Sequence, residues 1–166
     1  MPKAAGMRAV MKALDKQVQS AIQAGISSTY YSAIEIAEAG RDEAKRLVDH
    51  PGTNRPYVDK KGRARVSSHP GEPPASGPQY DLYHTIISRP VSKKNQNPAQ
   101  AMFGSTADYA LNLEFGAGMV APRPFMRPAS AFAKVVAFPI VKRKWNAAVM
   151  KKIAKMPTPP TINITL

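Results

Sequence analysis

The stretch "EFGAGMVAPRPFMRPA" (residues 114–129) crowds Gly116, Gly118, Pro122, Pro124 and Pro128 around Phe125 and Met126, just ahead of a segment with helical spacing. A residue that precedes proline is pushed out of the α region. Ala121, Arg123 and Arg127 are therefore expected to be extended, with Pro122 and Pro124 holding a stiff, polyproline-like strut. Gly116 and Gly118 permit a sharp reversal before it. Pro128 suits the first turn of a helix, where its missing N–H costs nothing. The stretch thus reads as a rigid lead-in that fixes where the following helix points. Phe125 and Met126 are apolar anchors that either pack beneath the strut or reach another chain. Glu114 is the nearest acid to Arg123 and Arg127, and a pairing across the turn would lock the bend.

Downstream, Phe132, Val135, Val136, Trp145, Ala148, Val149 and Ile153 recur at helical intervals, and Pro139 is expected to kink or split that helix. At the other end of the chain, Val10, Met11, Leu14, Val18, Ala21, Ile22, Ile26, Tyr30, Ala33, Ile34, Ala37, Ala44, Leu47 and Val48 trace a stripe in steps of three and four. A continuous helix over residues 4–49 would be roughly 69 Å long, whereas a compact chain of this size is only about 40 Å across. Such a helix overhangs its own globule. Two solutions follow: a break near residues 25–29, where Gly25 weakens the helix and Ser32 with Glu35 restarts it as a capping box, or a neighbouring subunit that covers the apolar overhang.

Between the helices, "YVDKKGRARV" reads as a hairpin within a basic insertion at about 53–70, with residues 59–62 at its turn. Residues 70–78 form a proline-rich connector. Residues 80–91 alternate as a strand that Pro90 ends or confines to an edge, "AQAMFGST" is a second strand, and Tyr109, Leu111 and Leu113 suggest a turn or two of helix. The expected fold is one α+β domain over residues 1–156, its two long helices packed on a small, mainly antiparallel sheet, followed by an extended tail at 157–166.

Chemistry has no visible address. The 166 residues contain no Cys, and His50, His69 and His84 are too scattered for a metal site. No phosphate-binding loop, dinucleotide fingerprint or nucleophile elbow occurs. No cofactor, metal or catalytic activity is expected. The longest apolar run, residues 135–141, is far shorter than the ~20 residues that cross a bilayer, so no membrane partner is expected either. The formal charge is +13, and no acid follows Glu114, so acidic surfaces and phosphate backbones are attracted non-specifically. The candidate contacts are Lys60, Lys61, Arg63 and Arg65 on the hairpin, and Lys142, Arg143 and Lys144 on the final helix. A solvated loop tip and a solvated helix face are the simpler readings of both sets.

The run "ADYALNLEFGAGMVAPRPFMRPA" resembles the signature of the neck or tail-completion family of tailed bacteriophages: Tyr-Ala-x-x-(Leu/Val)-Glu-Phe-Gly, a short loop, then Ala-Pro-Arg-Pro-Phe-(Met/Leu)-Arg-Pro-Ala. Tyr109, Ala110, Leu113, Glu114, Phe115 and Gly116 fill the first half, and residues 121–129 the second. The long first helix, the Gly71, Pro73, Pro74 connector and the final helix are also similar to that family. The enlarged basic hairpin and Pro139 depart from it. The resemblance implies a structural virion protein, made in the host cytoplasm, that forms a ring at the head-to-tail interface through which DNA passes. The ring would be sixfold, with twelvefold the other option. Its neighbours would be connector or stopper rings and tail terminator or tail tube proteins. Glu114, Phe115, Arg123, Pro124, Phe125, Met126 and Arg127 would then shape a subunit or ring interface, and the basic residues would face DNA or an acidic neighbouring ring. The alternative is a basic nucleic-acid-binding protein without enzymatic activity, although the chain has no recognisable DNA-reading motif or aromatic platform.

Overall fold

The computed structural model describes residues 3–58, 61–76, 81–94, 98–117 and 120–156, with side chains from residue 8. The expected tail at 157–166, Lys60 and Gly118 lie outside the described residues. The fold is α+β. Helix α1 (Lys3–Val48) is followed by strands β1 (Pro56–Val58) and β2 (Ala64–Val66), a short helix α2 (Asp81–Thr85), strands β3 (Ile86–Pro90) and β4 (Ala101–Ser105), helix α3 (Ala110–Phe115) and helix α4 (Met126–Ile153). The strands form two separate antiparallel pairs. In the first, Tyr57 faces Arg65; in the second, Ser88 faces Phe103. The second pair packs on α1, where the Phe103 ring lies over Gly40.

Helix α1 runs unbroken for 46 residues. Of the two alternatives, a break near Gly25 and a continuous helix, the second holds, because this glycine serves tertiary packing. A Cβ there would lie 2.7 Å from the Trp145 ring, so the missing side chain is a notch that lets α4 approach. Helix propensity alone would have favoured a break; burial against α4 overrides it. The expected capping box is absent too. Ser32 Oγ donates to the Ser28 carbonyl, and Ser28 Oγ to the Gly25 carbonyl, which satisfies both buried hydroxyls within the helix.

Helix α4 also continues through Pro139. Proline removes one hydrogen bond, leaving the carbonyl four residues back without its usual partner. That residue, Val135, is exposed, so water can take the carbonyl. The segment expected as one strand from residue 80 begins instead with α2. Leu82 and Ile86 are both buried at the four-residue spacing of a helical face, and Thr85 Oγ1 turns back to the Leu82 carbonyl.

The core sits at one end of the molecule. Ala44 and Val48 of α1, Leu82, Ile86, Ala110, Phe125 and Ala129 form its buried cluster. The contacts of Ala129 near Val48 and of Trp145 at Gly25 show that α4 runs antiparallel along α1. Helix α4 has eight residues left after Trp145, ~12 Å of rise, and so ends about level with Gln17. Beyond that level Val10, Met11 and Leu14 are exposed, Met11 to 60% and Leu14 to 51%. Val10, Leu14 and Val18 share an arc of about 80° with Ala21, Gly25, Ser28 and Ser32, at 3.6 residues per turn. The seam that seats α4 therefore continues, apolar and uncovered among the described residues, into the overhanging N-terminal third of α1.

Candidate functional site

Glu114 organises the start of α4. A helix leaves its first four N–H groups without intrahelical acceptors; here these belong to Phe125, Met126, Arg127 and Pro128. Glu114 Oε2 accepts the N–H of Phe125 at 2.8 Å and of Met126 at 2.9 Å, and Oε1 accepts that of Arg127 at 2.9 Å. The fourth position is proline and has no N–H. Every orphan donor is thereby met or removed by one carboxylate eleven residues upstream, with its negative charge on the positive end of the helix dipole. Arg127 completes the arrangement, its Nε donating to Glu114 Oε1 at 3.1 Å and its Nη2 to the Glu114 carbonyl at 3.1 Å. Burial would raise the Glu114 pKa, but the three backbone donors and Arg127 outweigh it and hold the carboxyl below its ordinary value.

The bend itself is tied at several points. Gly116 has a φ of 78°, and a Cβ there would meet Pro122 and the Val120 carbonyl. Ala117 and Val120 exchange backbone hydrogen bonds, Arg123 N–H donates to the Leu113 carbonyl, and Gly71 N–H donates to the Pro122 carbonyl. The expected pairing of Glu114 is therefore with Arg127. Arg127 itself lies in the first turn of α4 and is not extended, because its N–H and side chain are both held by Glu114.

The seven residues expected at an interface divide. Phe125 is fully buried and Glu114 is 4% exposed. Both serve the fold within one chain: Phe125 is the largest fully buried side chain among the described residues, and the Glu114 carboxylate is engaged by backbone donors. Phe115 and Arg127 remain at the surface, with the guanidinium 5.2 Å from the ring centroid. Together with Met126, Leu111 and Phe103 they line a recess of about 550 Å³. Pro124 is half-buried in the strut.

Arg123 points elsewhere. It joins Lys61, Arg63 and Arg65 of the hairpin around a second recess, of about 430 Å³. Two groups far apart in sequence, one expected at an interface and one at an acidic partner, thus share one site. Asp81 anchors the hairpin, with Lys61 Nζ at 3.3 Å and Arg63 Nη2 at 4.0 Å. Asp81 was not foreseen, although it is the sole acid between Glu72 and Asp108. Ser68 and Tyr109 were also missed. The Tyr109 phenol is pushed up by burial and by the Asp81 charge, with Arg65 opposing.

The cations expected on α4 are partly consumed within the chain. Arg143 Nη2 and Lys144 Nζ both bind Glu35 of α1, the lysine at 2.7 Å. The Lys144 hydrogen bond leads in lowering the Glu35 pKa against the cost of burial, helped by the charges of Lys144 and Arg143. Within the chain these two residues clamp α4 to α1; Lys142 stays exposed. Among the described residues no cluster of His, Asp and Glu could hold a metal ion, and no helix is long and apolar enough to cross a membrane.

No protein-family profile, curated protein or solved structure matches the chain.

Proposed function

We propose that this chain is a ring-forming structural subunit of a tailed bacteriophage virion, placed at the head-to-tail junction as a neck or tail-completion component. The observation that supports assembly is the uncovered apolar face of α1. It continues the seam that seats α4 and has no cover among the described residues of its own chain. A closed ring uses two different faces on every copy, and a long helix projecting from a small core supplies one of them. The choice of assembly comes from the resemblance in residues 109–129. Its Glu114 forms the buried cap of α4 and its prolines the bend before it, a rigid base from which to aim surfaces at neighbours. In this reading DNA passes through the lumen, and the ring meets connector or stopper and tail terminator or tube proteins.

Cryo-electron microscopy of particles carrying a tagged copy tests the proposal. Density in a symmetric collar between head and tail is the expected result, and a location elsewhere in the particle, or none, overturns it. A salt titration with short duplex DNA addresses the rival: tight, steeply salt-dependent binding by a subunit that never assembles would favour a nucleic-acid-binding protein.

A further inference from the structure

The recess between the hairpin and the strut gathers four cations, Lys61, Arg63, Arg65 and Arg123, with Asp81 the acid among the described residues that line it. Asp81 is engaged by Lys61 and Arg63. Arg123 has no ion pair or side-chain hydrogen bond among the described residues, and its Nε is sealed from solvent without an acceptor. Ser68, on the same wall, is 2% exposed and its Oγ has no partner among the described residues. A guanidinium drawn this far into a wall without an anion is costly, and the cost falls when a carboxylate or phosphate arrives.

We propose that this recess receives an acidic side chain, an aspartate or glutamate on an extended segment of a partner protein, with the outer nitrogens of Arg123 as the principal donors. Arginine's planar fork matches a carboxylate in two parallel hydrogen bonds. The rest of the lining mixes the hydroxyls of Ser67, Ser68 and Ser76 with Val66, Pro74, Leu82, Leu113 and the half-exposed rings of Tyr57 and Tyr109. That lining suits the aliphatic stem and neighbouring side chains of a peptide. Duplex DNA carries its phosphates on the convex face of a stiff rod, so it can touch the hairpin rim without reaching Arg123 on the wall. The inference stands whether or not the chain forms a phage ring, because the lining residues named here all belong to a single subunit.

The test is a titration of the intact, isotope-labelled chain, followed by nuclear magnetic resonance, with a short capped peptide containing two glutamates. Its glutamine counterpart and a short DNA duplex serve as comparisons, at low and physiological salt. The glutamate peptide should saturably shift the Arg123 side-chain resonance and the amides of Ser68 and Leu113, and the glutamine peptide should not. Arg123→Gln should weaken binding about tenfold or more, whereas Lys152→Gln, which removes the same charge on α4, should leave it unchanged. Equal losses in the two variants would reduce the effect to bulk charge and overturn the proposal. So would absence of saturation, or a duplex that shifts Arg123 more strongly than the peptide. Should Arg123→Gln fail to fold, Arg63→Gln on the exposed hairpin replaces it, and unchanged binding in that variant is equally fatal.

Discussion

Residues 113–129 and the first half of α1 sit at opposite extremes of self-sufficiency. In the former, one carboxylate meets three backbone donors, a proline removes the fourth, and Phe125 is fully buried beneath the bend. In the latter, Val10, Met11 and Leu14 form a well-spaced apolar face with nothing over it among the described residues. Both segments are regular, yet only one has its physical reasons inside the same chain. A stretch of about 15 residues is marginal as an isolated helix, so the overhang draws little stability from its own apolar face, whereas the bend closes on itself.

The sharpest way to break this contrast is at Glu114. Glu114→Ala leaves three backbone donors, one buried and two part-buried, without an acceptor and Arg127 without its partner. It should cost about 3–5 kcal/mol in urea unfolding, and a loss below about 1 kcal/mol would show that the bend is not the self-contained unit described. Acid offers the same test without truncation. The Glu114 pKa is lowered in the fold, so its contribution is complete above the ordinary glutamate range and is lost as pH falls through the lowered value. Glu114→Gln should accordingly flatten the acid limb of the stability profile.

A middle-sized effect is expected at the boundary between the two regions. Gly25→Ala would gain about 1 kcal/mol in a solvent-exposed helix, but its Cβ would fall 2.7 Å from the Trp145 ring. A net loss of about 1–3 kcal/mol is expected from overpacking, and a gain in denaturant midpoint would mean that α4 gives way easily. The smallest effect belongs to the overhang. Leu14→Asn should change the stability of the isolated subunit by no more than about 0.5 kcal/mol, while abolishing assembly as read by sedimentation. Intact assembly would remove the overhang from the interface.

The long helices and the lead-in to α4 were legible because they are local: spacing marks the apolar stripe, and proline and glycine constrain the bend whatever surrounds it. Whether Gly25 breaks α1 and Pro139 splits α4 could not be decided locally, for the complementary reason. Their roles depend on Trp145, far away in sequence, and on solvent exposure at Val135, and neither appears in a local pattern. Helix α2 was hidden because Leu82 and Ile86 are buried together in a segment too short for its period to show. Glu114 was recognised as a partner across the turn, but its service to three N–H groups needed the actual position of the helix end. The shared recess of Arg123 and the hairpin cations could not be read at all, since no spacing connects residues so distant along the chain.

The chain contains a single tryptophan, Trp145, and it rests in the Gly25 notch just before α4 runs out. Its emission is therefore a native fluorophore at the threshold of the overhang. Anything that peels the two helices apart, or seals the joint more tightly when copies meet, can be followed by light without attaching a label.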